Sequence, residues 1–215
     1  MKRYCQPLLP WVTHDRDVFL ATEFQKKIEN NSDISESRRM LGDGHKEIRQ
    51  EHDFYSTSFA ATEKLLKVEK FAGEIWECCC GDGAITKVLQ SHNYNVYSSD
   101  LYDRGYGETN VNFLSSNRTA INIITNPPFQ NSIEFLVKAN RIATKKVAFL
   151  LPLRYLEGKA RGIYYSINPP SRVWVFSKRA GMYKDGVEQM GGLMAFAWFV
   201  WDKKTKSKKT TLGWI

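Results

Sequence analysis

The sequence predicts an α/β fold in which helices cover both faces of a mostly parallel β-sheet. Strand and helix patterns alternate from residue 53 onward, as they do in chains that wind back and forth across one sheet. The segment 146–151 is apolar throughout, which is typical of a strand buried on both faces. The last two strands, 171–176 and 195–201, are joined by a loop without an obvious crossover helix, which predicts a C-terminal antiparallel hairpin.

The remaining elements follow from hydrophobic periodicity and from breaks at glycine, proline and asparagine. Helices are predicted at 61–71, 84–92 and 132–143, and strands at 74–79, 95–100 and 121–125. Residues 1–52 are polar and are predicted to form a partly helical N-terminal extension, with 19–28 as the best helix candidate. Residues 53–202 form the predicted main domain, and residues 203–215 a basic C-terminal tail.

Composition places the chain among globular proteins of the reducing cytoplasm. Its 42% hydrophobic and 25% charged residues are ordinary values for a folded domain. No apolar run approaches a membrane span, and the N-terminus lacks the apolar core of a signal peptide. Cys78, Cys79 and Cys80 are consecutive. Because neighbouring side chains on a strand point to opposite faces, these thiols cannot surround one ion, and no metal site is predicted.

The formal net charge of +8 raises the question of a nucleic-acid partner. Five lysines of the tail supply much of it, and without them the charge would be +3. These residues are Lys203, Lys204, Lys206, Lys208 and Lys209. Charge alone leaves two interpretations of the tail open: it grips phosphates without reading sequence, or it is a solvated end that keeps the protein soluble.

A glycine-rich loop follows the first predicted strand of the main domain. Gly81 and Gly83 allow the backbone to turn tightly and a ligand to lie against it. The dinucleotide fingerprint would need a third glycine at Thr86, so that class of ligand is disfavoured. The carboxylates of Glu77 and Asp82 would repel a pyrophosphate, and they favour a ligand with a cationic centre and an amino group. Asp100 ends the next strand, where a carboxylate can accept hydrogen bonds from ribose hydroxyls.

The apolar strand at 121–125 stops at Asn126-Pro127-Pro128-Phe129. Paired prolines also make ordinary turns, but this turn follows a strand end, as the glycine loop does. An exocyclic amino nitrogen is a poor nucleophile because its lone pair is delocalised into the ring. The Asn126 side-chain oxygen and the Pro127 carbonyl could bind both of its N–H groups and favour a tetrahedral nitrogen. The prolines would hold that geometry, and Phe129 offers a face for a base.

In combination these motifs resemble a known family. They are Tyr55-Ser56-Thr57, Glu77 with Gly81-Asp82-Gly83, Asp100, and Asn126-Pro127-Pro128-Phe129. Over roughly residues 54–201 the chain resembles the amino-methyltransferases of the Rossmann-like class I, especially DNA adenine-N6 methyltransferases of the small phage or prophage type. The resemblance implies a seven-stranded sheet, S-adenosyl-L-methionine as cofactor, and methyl transfer to the N6 amino group of adenine in DNA.

Carried over residue by residue, the resemblance implies a catalytic loop and a cofactor site. Asn126, Pro127, Pro128 and Phe129 would hold the target base. The implied cofactor-binding residues are Thr57, Glu77, Cys79, Gly81, Asp82, Gly83, Asp100, Leu101 and Phe113. Within this set Asp100 would hold the ribose and Leu101 would line the adenine. The family often has an acidic residue before the phenylalanine of the third cofactor contact, where this chain has Asn112 before Phe113.

DNA contacts are expected from loops on the same edge of the sheet as the catalytic loop. The predicted contact residues are Arg154, Lys159, Arg161, Lys178, Arg179 and Lys184. After Trp201 only residues 202–215 remain, too few for a separate target-recognition domain. Sequence preference is therefore expected from these loops, from the N-terminal region, or from a partner chain or a second copy in a homodimer.

Three alternatives remain open at the level of sequence. RNA presents the same adenine amino group and is the second choice of substrate. Protein-glutamine N5 methyltransferases carry the same type of loop but usually end it in Tyr, where this chain has Phe129. The third alternative is a catalytically silent nucleic-acid-binding subunit with a methyltransferase fold, against which the intact Asn126 and glycine loop argue.

Overall fold

The computed structural model of the chain describes residues 56–178, 182–184, 187–189 and 194–215, and these contain ten strands and four α-helices. The strands are β1 (Ser56–Thr57), β2 (Ile75–Glu77), β3 (Val96–Ser98), β4 (Ala120–Thr125), β5 (Ala143–Pro152), β6 (Arg172–Val175), β7 (Met182–Lys184), β8 (Val187–Gln189), β9 (Phe196–Asp202) and β10 (Thr211–Trp214). The helices are α1 (Phe59–Val68), α2 (Ala84–Ser91), α3 (Ser132–Ile142) and α4 (Lys159–Ile167). The predicted N-terminal helix at 19–28 lies outside the described residues.

Seven strands form one sheet in the order β3-β2-β4-β5-β9-β6-β10. All neighbours pair in parallel except β9, which is antiparallel to both β5 and β6. The predicted α/β class, the mostly parallel sheet and the antiparallel pairing of the last two predicted strands are therefore confirmed. β9 lies inside the sheet, between β5 and β6, instead of closing its edge.

The edge is occupied by β10, which comes from the segment predicted as a basic tail. Thr211 to Trp214 pair in parallel with Arg172 to Val175 of β6. Gly213 lies under the ring of Trp174, where a Cβ atom would come within 2.3 Å of the ring. This end of the chain is thus part of the sheet, and it follows an exposed lysine-rich turn at 203–209.

The sheet separates two hydrophobic cores, and its strands alternate between them. In β5, Val147 and Phe149 face the core under α3 and α4, whereas Ala148 and Leu150 face the core under α1 and α2. Helix α4 has no counterpart among the predicted elements, because it is short and contains Gly162, which weakens the helical signal. Among the described residues no helix is long and apolar enough to cross a membrane.

A second, three-stranded sheet has the order β1-β7-β8. Strands β7 and β8 form an antiparallel hairpin within the long loop that connects β6 to β9. Thr57 of β1 pairs with Met182 of β7. Strand pairing therefore joins the loop between β6 and β9, which carries Lys178, Arg179 and Lys184, to the segment that carries Thr57.

Candidate functional site

The ends of three neighbouring strands bring the predicted motifs together. β2 lies between β3 and β4 and is parallel to both, so the segments that follow these strands emerge at one edge. The amide of Cys80 donates to the carbonyl of Ser99 at 3.0 Å, and the amide of Gly81 donates to the Asp100 carboxylate at 2.9 Å. The glycine loop and the end of β3 are therefore held together by direct hydrogen bonds.

Gly83 occupies a position that only glycine fits. Its φ of 78° lies in the left-handed region, and a Cβ atom there would come within 2.4 Å of the Tyr106 ring. Tyr106 is fixed over the loop because its hydroxyl donates to Gln90 at 3.2 Å, and the Lys87 ammonium lies 5.1 Å from its ring centre. The sequence pattern identified the glycine, but nothing in it pointed to the tyrosine 23 positions later that covers it.

Glu77 is enclosed beneath this loop, with 1% of its surface exposed. Its carboxylate accepts a short hydrogen bond from the Thr86 hydroxyl of α2. Burial raises the pKa of Glu77 well above its usual range, and the charges of Asp82 and Asp100 add to this against the hydrogen bonds from Thr86. Glu77 therefore links β2 to α2 from a position closed to solvent, and its surroundings disfavour the charged form of its carboxyl group.

Asp100 is 8% exposed and joins two loops. One carboxylate oxygen accepts from the Gly81 amide and the other from the Tyr102 amide at 2.9 Å. Leu101, the residue between Asp100 and Tyr102, has 43% of its surface exposed. A carboxylate in a fixed orientation beside an exposed aliphatic side chain can accept from ribose hydroxyls while an adenine ring lies on the leucine.

Three further predicted cofactor residues have different surroundings. Cys79 is half-buried, and its thiol interacts with Thr125 at the end of β4; burial raises its pKa, so the thiol stays protonated. Asp82 accepts a hydrogen bond at 3.2 Å from the amide of Ala84, the first residue of α2. Phe113 is 2% exposed and packs in the core against Trp76.

The side chain of Asn126 is oriented by Thr57. The Asn126 Nδ2 atom donates to the Thr57 hydroxyl at 3.2 Å, and Thr57 is 5% exposed. Because the amide nitrogen faces Thr57, the amide oxygen faces the other way. The resemblance assigned Thr57 to the cofactor site, and in the structure its hydroxyl contacts Asn126 of the predicted catalytic loop.

The far end of the loop at 126–129 is fixed by two hydroxyls that sequence reasoning did not identify. The carbonyl of Phe129 accepts from Ser132 at 3.0 Å and from Tyr155 at 2.8 Å, and these two hydroxyls lie 2.7 Å apart. The ring of Phe129 lies 5.9 Å from that of Phe196, the first residue of β9. β9 is antiparallel, so its start reaches the catalytic edge; that pairing is the signal that could have identified Phe196.

The predicted nucleic-acid contacts divide into three groups. Arg154, Lys159 and Lys178 are exposed. The Arg161 guanidinium instead donates to the carbonyls of Glu157 at 2.6 Å and Arg154 at 3.3 Å and lies over the Tyr155 ring, so it stabilises its own segment. Arg179 and the side chain of Lys184 lie outside the described residues.

In the described part of the chain, no three His, Cys, Asp or Glu side chains are grouped so that they could hold a metal ion. Cys78 and Cys80 are buried, with Cys78 in the core under α3 and α4. The consecutive cysteines therefore belong to the end of β2 and to the loop that follows it.

Comparisons with known proteins bear on the fold. No protein-family model matches the sequence, and no curated protein sequence matches it significantly. The structure is similar to that of a protein from Pyrococcus horikoshii assigned as an RNA methyltransferase, at 14% identity and a TM-score of 0.50, over 70% of this chain and 87% of that one. It is also similar to the M protein of the type I restriction enzyme EcoKI, at 11% identity and a TM-score of 0.51. That match covers 79% of this chain and 48% of the M protein.

The chain thus has the Rossmann-like fold of S-adenosylmethionine-dependent methyltransferases, with a seven-stranded, mostly parallel sheet and helices on both faces. The glycine loop, Asp100 and Asn126 lie at the carboxyl ends of its parallel strands, where open α/β sheets bind ligands. A fold hosts many reactions, so the reaction has to be argued from these side chains.

Proposed function

We propose that the chain transfers a methyl group from S-adenosyl-L-methionine to the N6 amino group of adenine in DNA. The observation that carries this proposal is the orientation of Asn126. Its amide nitrogen is held by Thr57 at the end of β4, next to an acid-lined glycine loop. An oriented amide oxygen beside such a loop suits an amino group that must meet an electrophile.

The residues of the glycine loop fit S-adenosylmethionine. This cofactor supplies an electrophilic methyl group and carries positive charge on its sulfonium and amino groups. Asp82 and Asp100 supply negative charge around the loop and, together with burial, raise the pKa of Glu77, so a cationic ligand would be attracted and would favour the ionised form of Glu77. Asp100 would accept from the ribose, exposed Leu101 would contact the adenine, and Gly81 and Gly83 would allow the methionine end to approach the backbone.

The catalytic loop fits the target base. The Asn126 oxygen and the Pro127 carbonyl would accept the two amino hydrogens and so direct the nitrogen lone pair towards the methyl group. Phe129 would stack on the base, with the neighbouring Phe196 ring bounding the same space. An adenine in a duplex would have to leave the stack to reach this site.

DNA is the proposed polymer, with RNA as the second candidate. The similarity to the EcoKI M protein and to the archaeal protein assigned as an RNA methyltransferase supports a nucleic-acid substrate of either kind. Phe129 in place of tyrosine favours a nucleic acid over a protein glutamine. The Asn126 orientation favours an enzyme over a silent binding subunit.

The proposal is tested by methyl transfer from labelled S-adenosylmethionine to double-stranded DNA, single-stranded DNA, RNA and protein in parallel. We expect label on N6 of adenine in DNA. Label in RNA alone would transfer the assignment to the second candidate, and label on glutamine would overturn both. A chain that binds DNA but transfers no methyl group to any of the four substrates would be the silent subunit.

Asn126→Ala tests the mechanism. We expect methyl transfer to fall at least about a hundredfold, because the amino group loses an oriented acceptor, with cofactor affinity unchanged. Single-turnover transfer and calorimetric titration with S-adenosylmethionine measure the two effects. Asn131→Ala is the matched control, because Asn131 is exposed and its side chain does not cap α3. Full activity in Asn126→Ala would refute the assigned role.

A further inference from the structure

A polar cavity of about 150 Å³ lies at the edge of the sheet opposite the catalytic loop. Strand β9 runs from one of these edges to the other. Its first residue, Phe196, pairs with Pro152 at the catalytic edge, and its last residue, Asp202, pairs with Lys146 at the opposite edge. Seven strand residues span about 20 Å. A ligand in this cavity therefore cannot take part in the chemistry at Asn126.

The cavity wall combines ammonium groups, hydroxyls and an amide. Its residues are Asn168, Pro169, Ser171, Trp201, Asp202, Lys203, Thr205, Lys206, Ser207 and Lys208. Three ammonium groups and three hydroxyls around one small space are a donor set for an oxyanion, since lysine ammonium groups only donate and hydroxyls can donate.

Two of the three lysines are anchored in place. Lys203 Nζ donates to the Asn140 carbonyl at 2.6 Å and to its side-chain oxygen at 3.2 Å, and Lys208 Nζ donates to the Ile167 carbonyl at 2.9 Å. These carbonyls lie in the last turns of α3 and α4, where helices attract cations. An ammonium has three N–H groups, so each of these lysines keeps at least one donor for a ligand.

Asp202 is the acid in the wall, and its charge is already compensated. One carboxylate oxygen accepts from Arg172 at 3.0 Å and lies 3.6 Å from the Lys146 ammonium, and the other accepts the amide of Lys204 at 3.0 Å. The remaining charge around the cavity is that of the lysines.

The lysines of the cavity wall belong to a basic part of the chain. Residues 159–215 contain eleven Lys or Arg and three Asp or Glu, whereas residues 1–158 contain twenty of each. Five of those eleven cations lie at 203–209, the lysine turn that contributes to the cavity wall, whereas Lys159, Arg161, Lys178, Arg179 and Lys184 belong to the loops expected at the catalytic edge. A field concentrated on one part of a protein attracts polyanions to that part.

We infer that this cavity holds a backbone phosphate of a polynucleotide and is a nucleic-acid contact remote from the catalytic loop. The inference deepens the proposed function and rests on it for the identity of the polymer. The contact would raise affinity for long substrates and would read no sequence, since phosphates carry none.

The length of the bound nucleic acid therefore decides whether it can reach the cavity. A polymer bound at Asn126 has to extend about 20 Å beyond the target to reach the cavity, which is about six base pairs of duplex rise. A duplex of 30 base pairs with a central target can make the contact, and one of 8 base pairs cannot.

The experiment compares Lys206→Gln with Lys204→Gln in the full chain. Both remove one charge from the same turn, and of the two only Lys206 lines the cavity. Fluorescence anisotropy with the 30-base-pair duplex is expected to show about a tenfold weaker Kd for Lys206→Gln and less than twofold for Lys204→Gln, at 0.1 M salt. The salt slope should fall by about one for Lys206→Gln, and the 8-base-pair duplex should bind both variants as it binds the parent.

Equal losses for the two variants, or an equal loss with the short duplex, would overturn the inference, because either result means a diffuse charge effect. Inorganic phosphate distinguishes a free anion from a polymer. The inference fails if millimolar phosphate raises the Tm of the parent but not that of Lys206→Gln, while the long duplex binds both proteins equally. The site would then take small anions. Binding is measured without methyl transfer, so a chain inactive on DNA but dependent on Lys206 would refute the proposed function and leave this contact standing.

Discussion

The orientation of one side-chain amide carries the proposed chemistry at the scale of single residues. An asparagine amide can turn either its oxygen or its nitrogen towards a substrate, and only the oxygen can accept an amino hydrogen. In the structure the Asn126 Nδ2 atom donates to the Thr57 hydroxyl at 3.2 Å, which leaves the amide oxygen on the other side. Thr57 lies in the second sheet, whereas Asn126 directly follows β4 of the main sheet, and the proposed function makes Thr57 a positioning residue.

Thr57→Val removes this hydroxyl while keeping the shape of the side chain. We expect kcat to fall about ten- to a hundredfold, because Asn126 loses the partner that holds its amide, while cofactor Kd changes less than about twofold. Single-turnover methylation and calorimetry separate the two quantities. Thr57→Ser, which retains the hydroxyl, should restore most of kcat. If both variants instead weaken cofactor binding equally, Thr57 belongs to the cofactor site as the sequence resemblance implied.

Individual site residues were predictable where local chemistry marks them. Gly83, Asp100 and Asn126 each follow a strand end in a pattern that is visible over a few positions. Tyr155 was not predicted as a partner of Phe129, because their contact joins positions 26 apart and no local pattern pairs them. Phe113 lies in the core, and a core aromatic after a turn looks like a ligand-lining one in sequence.

At the scale of elements, a hydrogen bond joins β2 to α2 at a point where three acidic side chains lie close together. Glu77 at the end of β2 accepts from Thr86 in α2, while Asp82 and Asp100 lie near enough to raise its pKa further. The folded protein without cofactor therefore favours protonated Glu77. A cationic ligand would reverse that preference, so ligand affinity and stability oppose each other at this position.

Glu77→Gln tests this opposition. The pKa of Glu77 is raised on folding, so its ionised form costs stability increasingly as pH rises above the ordinary value of 4.5. We expect the cofactor-free variant to melt above the parent at pH 8 and level with it near pH 4. Cofactor affinity of the parent should rise with pH and binding should release a proton, whereas the variant should show neither. Exposed Glu157→Gln is the control; a lower Tm for Glu77→Gln at pH 8 would contradict the prediction.

The elements themselves were predictable where apolar residues are concentrated in one segment. β4, β5 and β9 bury both faces and appear in sequence as long apolar runs. β10 was missed because Leu212 and Trp214 are exposed and the strand has only four residues after a lysine-rich turn. The insertion of β9 between β5 and β6 is a choice of pairing partner, which alternation along one strand does not encode.

At the scale of the whole molecule, a buried charge cluster ties four elements together at the edge opposite the catalytic loop. Glu69, just after α1, is 3% exposed and is bonded by Lys146 of β5 at 2.6 Å, by Arg172 of β6, and by the indole of Trp174 at 3.0 Å. Asp202 of β9 completes the cluster through Arg172 at 3.0 Å. Two carboxylates and two cations balance, so removal of one carboxylate leaves a cation without compensation.

Glu69→Gln should therefore destabilise the fold by about 3 kcal/mol, because breaking a buried ion pair leaves the partner's charge buried. Burial raises the pKa of Glu69, but the hydrogen bonds from Arg172, Lys146 and Trp174 outweigh it, and the net pKa lies below the ordinary 4.5. A carboxyl with a lowered folded pKa stabilises above its unfolded pKa and loses that effect as pH falls through the folded value.

The difference between parent and Glu69→Gln should consequently be full at pH 7 and shrink below about pH 4.5 as both forms become neutral at this position. Urea unfolding at pH 7 and at pH 3.5 measures it. Glu63→Gln is the matched control: Glu63 pairs with His92 at 2.8 Å on the surface, with 42% of its side chain exposed, and should cost less than about 0.5 kcal/mol. A loss for Glu69→Gln as small as that of the control at pH 7 would mean that the cores on the two faces hold the sheet without the cluster. A loss that stays constant down to pH 3.5 would mean that packing, and not charge, gives Glu69 its effect.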